Sequence, residues 1–190
     1  MAEEDKYIKE ISRYNQPGLF RLWKKHINNN LDATQKEFWK EGKLMEYVVL
    51  KAFELEGARV RWPYSVRLDD GTQIEQIDGA VTIGSQIFLI ECKDKDKGIN
   101  IEPIAKMRNQ LMRRPSSVVG CMFSRKGFTE PAVAMSRYIA PQTILLWDGQ
   151  ELDYCLEHSM MLEALDLKLH KAAEEFIYCY NTRTYYELPK

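Results

Sequence analysis

The chain has 190 residues, of which 45% are hydrophobic and 29% are charged. This composition is typical of a globular protein and excludes a fibrous or fully disordered chain. A formal net charge of −1 gives no overall attraction to nucleic acid, so phosphate binding would need local basic patches such as Arg113-Arg114 or Arg125-Lys126.

The spacing of the cysteines and the lengths of the apolar runs are typical of an intracellular protein. The four cysteines are widely separated and form no C-x-x-C pair, so we expect reduced core residues. Residues 1–6 do not resemble a signal sequence, and no apolar run approaches the roughly 20 residues that span a bilayer. We therefore expect a cytoplasmic protein with no membrane partner.

The amino-terminal half is predicted to be helical first and then stranded. Patches of helical periodicity before residue 41 indicate an accessory helical region over 1–41. A clearer helix is predicted over 43–56, because apolar residues recur there at helical spacing before a glycine. Strands are predicted around 59–68, 74–83 and 86–93.

The carboxyl-terminal half alternates helices and strands. A helix with Pro103 in its first turn should end before Pro115, and a strand at 117–124, a helix capped by Thr129 and a strand at 143–147 should follow. The order strand, helix, strand predicts a parallel pair. From Glu151 the pattern predicts helices with one apolar stripe, used for the core or for a dimer contact.

These elements predict an α/β fold in which helices flank a mixed β-sheet. Residues 42–156 are expected to form the core of this fold. The helical region 1–41 and a carboxyl-terminal helical extension over 157–190 are expected to be additions to it.

A two-residue reversal at Gly84-Ser85 is the most informative local feature. Glycine in the first position of such a loop favours a type II′ turn, so the flanking strands should form a hairpin. Counting outward from the loop places Asp78 opposite Glu91 and Gln76 opposite Lys93. Opposed like charges are destabilising unless something compensates them, which predicts a bound divalent cation. The alternative is a solvated hairpin with surface charges.

The clustered acids and the lysine match metal-assisted hydrolysis of a phosphodiester. Mg²⁺ prefers oxygen ligands, so Asp78, Glu91 and the backbone carbonyl of Cys92 are candidate ligands. Lys93 shares the face of Glu91, where it would orient the attacking water, help to deprotonate it or stabilise the transition state. Glu46 is a further candidate acid, and its alternative explanation is a favourable charge near a helix amino terminus.

These residues carry a family resemblance. The segments Ile77-Asp78-Gly79 and Ile90-Glu91-Cys92-Lys93 resemble the signature of the PD-(D/E)xK nuclease superfamily. Residues 120–132 and 143–152 are similar to its Mrr-like restriction endonuclease branch. The resemblance covers residues 42–156 and implies a restriction-endonuclease-like fold with a Mg²⁺-dependent or Mn²⁺-dependent nuclease activity, usually on DNA.

The resemblance also bears on three single positions. Glu46 matches an acid that many members carry on a preceding helix, and Gln110 matches a glutamine that many relatives place near the site. An exposed helical polar residue is the alternative for Gln110. Ile77 stands where the superfamily signature has proline, which leaves the carboxylate of Asp78 in place.

Three functions remain open at this point. The first is catalysis by Asp78, Glu91 and Lys93 with Glu46 and Gln110 in support. The second is a catalytically silent module that binds nucleic acid, and the third is an oligomeric scaffold or homodimer that uses the carboxyl-terminal helices. Further basic and aromatic residues are candidates for contacts with phosphates or bases: Lys106, Arg108, Arg113, Arg114, Arg125, Lys126, Tyr178, Tyr180, Arg183, Tyr185 and Tyr186.

Overall fold

A computed structural model describes residues 2–187. The helices are α1 Ala2–Ile11, α2 Gln16–Ile27, α3 Ala33–Phe38, α4 Lys43–Leu55, α5 Ile101–Met112, α6 Glu130–Ser136, α7 Gly149–His158, α8 Met161–Glu175 and α9 Thr182–Glu187. The strands are β1 Arg59–Arg61, β2 Tyr64–Arg67, β3 Gln73–Ile77, β4 Gly79–Ile83, β5 Gln86–Lys93, β6 Val119–Ser124 and β7 Ile144–Asp148.

Helices cover both faces of a five-stranded mixed sheet, which confirms the predicted fold class. The strand order is β1-β4-β5-β6-β7, with antiparallel pairs up to β5 and parallel pairs from β5 to β7. One face packs against α1, α2, α4, α7 and α8, and the other packs against α5, α6 and the ribbon formed by β2 and β3. The predicted parallel pair is β6 and β7.

The predicted hairpin is present with the predicted loop. Ile83 pairs with Gln86, and Gly84 between them has φ 58°, a conformation that glycine adopts without a Cβ penalty. The pairing continues in register to Gly79 opposite Ile90. Asp78 and Glu91 are the next two residues in that register, as the sequence predicted.

Two of the predicted strands are each broken in two, which corrects the expected partner of Gln76. The strand predicted over 59–68 is interrupted before Tyr64, where Pro63 has no N–H for the ladder. The strand predicted over 74–83 bends at Asp78, and β3 pairs with β2 in a separate ribbon. Gln76 therefore lies opposite Ser65, and the prediction that it faces Lys93 is wrong.

The bend also moves one apolar residue to the other side of the sheet. In an uninterrupted strand Ile77 would alternate onto the face of Val81, but it belongs to the cluster of Ala80 and Leu89 on the other face. A strand that bends no longer keeps its alternation across the bend.

Gly79 sets the distance between α4 and the sheet. A Cβ placed on Gly79 would lie 2.6 Å from a methyl carbon of Leu50, which is fully buried on α4. Leu50 lies one helical turn after Glu46, so the missing side chain at Gly79 allows α4 to bring Glu46 close to Asp78.

The amino-terminal helices pack onto the same core as α4. Asn15 caps α2 by accepting a hydrogen bond from the N–H of Gly18, which fixes where this helix begins. The ring of Tyr7 stacks on that of Trp39, with centroids 5.3 Å apart, and Tyr47 of α4 contacts both rings. Residues before position 41 therefore contact the core directly.

The carboxyl-terminal apolar stripe is not one continuous helix. The helix α8 ends at Glu175. Phe176, which follows it, has φ 57° and is 68% exposed, and the chain then turns before α9. Lys168 donates a 2.7 Å hydrogen bond to Glu151, and both side chains are buried. Glu151 also accepts from the backbone N–H of Thr182 at 2.8 Å, which ties α9 to α7.

Among residues 2–187, no helix combines the length and the apolar character needed to cross a bilayer.

We expect Gly79→Ala to lower the free energy of unfolding by about 1–3 kcal/mol, because the new methyl group would overlap Leu50. Leu50→Ala alone should cost about 2–5 kcal/mol. In the Leu50→Ala background the added cost of Gly79→Ala should nearly vanish, because the space is then free. Denaturant unfolding of the four proteins measures the coupling, and strictly additive costs would contradict the proposed contact.

We expect Lys168→Met to lower the free energy of unfolding by about 3–5 kcal/mol, because it leaves the buried carboxylate of Glu151 without its ion pair. Lys171→Met is the matched control on the same helix, since Lys171 pairs with Glu175 near the surface. That change should cost at most about 1 kcal/mol. Equal losses in the two variants would show that the buried pair has no special role.

Candidate active site

Three predicted site residues meet where β5 ends. Asp78 lies at the bend between β3 and β4, and its carboxylate accepts a 2.8 Å hydrogen bond from the backbone N–H of Cys92. Glu91 and Lys93 stand on either side of Cys92 in the chain and share the opposite face from its thiol. The structure therefore brings Asp78, Glu91 and Lys93 together on the edge of the sheet that is formed by the strand ends, where β5 finishes.

Glu91 is the most deeply buried acid of this group, with 3% of its side chain exposed. Its Oε1 accepts hydrogen bonds from Lys93 Nζ at 2.5 Å and from Lys106 Nζ at 3.3 Å. Lys93 Nζ also donates to the carbonyl of Cys92 at 3.3 Å. Lys106 comes from α5, so the sequence, which suggested only a phosphate contact for it, missed its place beside the acid.

The carboxylates affect one another strongly. Burial and then the charge of Glu91 raise the pKa of Asp78 to about 6. Burial and then the charge of Asp78 raise the pKa of Glu46 to about 7, although Lys43 donates to Glu46 at 2.8 Å and opposes this shift. Glu46, on the first turn of α4, is therefore an electrostatic neighbour of Asp78, as the resemblance implied.

The donor atoms at this edge suit a hard divalent cation. The available ligands are the carboxylates of Asp78 and Glu91 and the backbone carbonyl of Cys92, which are all oxygen atoms. Burial raises the pKa of the Cys92 thiol, whose side chain belongs to the core on the other face. As the side chains of residues 2–187 stand, no three His, Cys, Asp or Glu residues are gathered closely enough to hold a metal ion. Ammonium groups contact Glu91 and Glu46 instead.

Gln110 supports the strand that leads to Asp78. It is 3% exposed, so its interpretation as an exposed helical residue is wrong. Its Nε2 donates to the backbone carbonyl of Gln76 at 3.5 Å, two residues before Asp78. Gln110 thus contacts β3, and Lys106, one turn earlier on α5, contacts Glu91.

Asp94 links the site to the amino-terminal region. It follows Lys93 directly, and its carboxylate contacts His26 Nε2 at 2.6 Å and the guanidinium of Arg125. Burial opposes ionisation of Asp94, but these two partners outweigh it and lower its pKa. His26 and Asp94 are 68 positions apart, and no spacing in the sequence indicates this contact.

The basic and aromatic candidates have mixed outcomes. Ion pairs engage several of the predicted phosphate contacts: Lys106 with Glu91, Arg113 and Arg114 with Glu75, and Arg125 with Asp94 and Asp96. Tyr178 packs against the core, whereas Tyr185 and Tyr186 stay partly exposed.

Several solved structures are similar to the chain. The crystal structure of protein VC1899 from Vibrio cholerae matches at 13% identity over 70% of this chain and 37% of its own, with a TM-score of 0.52. The MspJI restriction endonuclease in complex with a 27-mer oligonucleotide matches at 16% identity over 77% of this chain and 34% of its own, with a TM-score of 0.43. The DNA modification-dependent restriction endonuclease AspBHI matches at 13% identity over 87% and 39%, with a TM-score of 0.41.

The likeness to VC1899 is one of fold. The chain spans between about a third and two fifths of the length of these three proteins. No curated protein matches the chain.

Residues 40–156 match the Mrr_cat family, whose description is "Restriction endonuclease". The match covers more than half of the chain and includes Asp78, Glu91 and Lys93. The chain therefore belongs to the Mrr_cat restriction endonuclease family.

Proposed function

We propose that this chain is a Mg²⁺-dependent nuclease that hydrolyses phosphodiester bonds in DNA at the edge formed by Asp78, Glu91 and Lys93. The observation that carries the proposal is the 2.8 Å hydrogen bond from Cys92 N–H to Asp78, which holds Asp78 beside Glu91. Membership of a restriction endonuclease family supports the reaction class.

In this proposal each residue has a separate role. Asp78, Glu91 and the carbonyl of Cys92 hold the cation, and Glu46 adds a neighbouring carboxylate. A bound Mg²⁺ or Mn²⁺ supplies a Lewis acid for the scissile phosphate and lowers the pKa of water. Lys93, whose Nζ lies 2.5 Å from Glu91 Oε1, presents its ammonium to the attacking water or to a phosphate oxygen.

Two further residues are assigned positioning roles. Gln110 braces β3 through the carbonyl of Gln76 and so supports the bend at Asp78. Lys106 neutralises the charge of Glu91 while no cation is bound. Because 57% of its side chain is exposed, Lys106 can move away when a cation binds. A cytoplasmic location and a homodimer remain predictions of the sequence.

The alternative functions make different predictions from those of catalysis. A silent module would bind DNA without cutting it, and an oligomeric scaffold would tolerate loss of the acids. The presence of both acids and the lysine on one edge favours catalysis, because neither alternative requires the three together.

We expect Glu91→Gln to reduce plasmid cleavage in Mg²⁺ or Mn²⁺ to background, because the amide cannot serve as an anionic ligand. Glu157→Gln is the matched control, since Glu157 is an exposed acid on α7. That variant should cut like the wild type. Cleavage that survives in Glu91→Gln would assign the reaction to other residues, and DNA binding without cleavage in the wild type would favour the silent module.

We expect Lys106→Met to tighten Mg²⁺ binding about two- to fivefold, because a half-exposed ammonium no longer competes with the cation for Glu91. Calorimetric titration of Mg²⁺ without DNA measures this effect. Lys97→Met removes an exposed charge from the loop after β5 and serves as the control. Unchanged or weaker Mg²⁺ binding in Lys106→Met would refute the competition.

A further inference from the structure

The strongest basic segments of the sequence are largely neutralised in the fold. Arg113 and Arg114 both bind the buried carboxylate of Glu75, and Arg114 does so at 2.6 Å. Arg125 is shared between two aspartates, and Lys106 lies on Glu91. Cations that have no acid partner are therefore the stronger candidates for attracting phosphates to this chain, whose net charge is −1.

Arg59 and Arg61 are exposed and differ from these residues in their surroundings. Within residues 2–187, neither arginine has an ion-pair partner. Both belong to β1, the edge strand of the main sheet, and being two residues apart they point to the same face. No run of basic residues marks them in the sequence, since uncharged residues flank each one.

The two arginines line a groove, which we call the arginine groove. It has a volume of about 530 Å³, and it is lined by β1, the β4–β5 hairpin and the segment after α5. Arg114 is the third guanidinium at its wall, and no acid is among the lining residues. Ile87 and Leu89 contribute an apolar floor. The arginine groove is thus a concave, positively charged surface.

One arginine is already held in a fixed position. The guanidinium carbon of Arg61 lies 3.6 Å from the centre of the Tyr64 ring. Stacking on an aromatic ring keeps the planar guanidinium oriented while leaving its N–H groups available for an anion. Ordering a long side chain in advance reduces the entropy that binding would otherwise cost.

The register connects the arginine groove to the candidate active site. Arg59 lies opposite Thr82, and Thr82 lies opposite Ile87. The next row on the same face is Arg61, Ala80 and Leu89. Within β5 the next residue on that face is Glu91, and successive residues on one face are about 7 Å apart.

We propose that the arginine groove binds the sugar–phosphate backbone of the nucleic acid substrate next to the cleavage edge. The proposal rests on the proposed nuclease function. Glu91 is two residues beyond Leu89 on the face that carries both arginines, so phosphates bound at Arg59 and Arg61 would lie within about 14 Å of this acid. Guanidinium groups match phosphates in both charge and geometry.

The test compares two double variants that change net charge equally. Arg59→Gln/Arg61→Gln removes the charges from the arginine groove. Arg13→Gln/Arg183→Gln removes two exposed arginines whose partners are nearby acids on the terminal helical segments. Thermal unfolding checks that both fold, and binding of a short DNA duplex is measured across a range of salt concentrations without divalent metal.

We expect the groove variant to bind DNA roughly ten- to hundredfold more weakly than the wild type. The slope of the logarithm of its binding constant against the logarithm of the salt concentration should be smaller in magnitude by about two. The control should stay near the wild type. In Mg²⁺ the groove variant should show a raised KM with kcat preserved, because Arg59 and Arg61 do not touch the reacting phosphate.

Each other outcome overturns the proposal in a recognisable way. Equal losses in both variants would show a general charge effect, and wild-type binding in the groove variant would show that the backbone runs elsewhere while the nuclease function stands. A wild type that neither binds nor cuts DNA removes both proposals. The remaining outcome is that the wild type binds polyglutamate but not DNA, and that the groove variant no longer binds polyglutamate. That result would show that the arginine groove binds an acidic peptide.

Discussion

The hydrogen bond from Cys92 N–H to the carboxylate of Asp78 is the contact on which the site depends. Asp78 occupies a bend, where its side chain takes a strand N–H that would otherwise need a partner from the backbone ladder. This one bond allows β3 to leave the main sheet while Asp78 stays next to Glu91. The closeness of the acids and the separate β2–β3 ribbon are therefore two consequences of the same local geometry.

Charge balance is the second constraint at this edge. Burial and the charge of Glu91 raise the pKa of Asp78, and burial and the charge of Asp78 raise the pKa of Glu46. Lys93 and Lys106 both donate hydrogen bonds to Glu91. The neighbouring ammonium groups offset the free-energy cost of removing these carboxylates from water. Under the proposed function, a divalent cation would take the place of one of these ammonium groups.

Local sequence signals predicted the parts of the fold that local chemistry decides. The loop at Gly84-Ser85, the bounds of β5 and the cap of α6 by Thr129 follow from turn preference, alternation and capping, and the structure confirms them. The bend at Asp78 was not predicted, because it depends on an N–H that lies 14 residues away. Likewise, the placement of Arg59 and Arg61 on the same sheet face as Glu91 depends on how β1 pairs with β4, which no short motif encodes.

The contact between His26 and Asp94 extends the site beyond the residues that match the family. His26 belongs to α2, before the matched span begins at residue 40, yet its ring holds the carboxylate that follows Lys93. Tyr7 and Trp39 bury their rings against Tyr47 one residue after Glu46. The segment before residue 40 thus supports both sides of the acid pair, at α4 and at the end of β5. Because the same segment packs against the helix of Glu46 and binds Asp94, the residue after Lys93, its helices are structural components of the candidate active site.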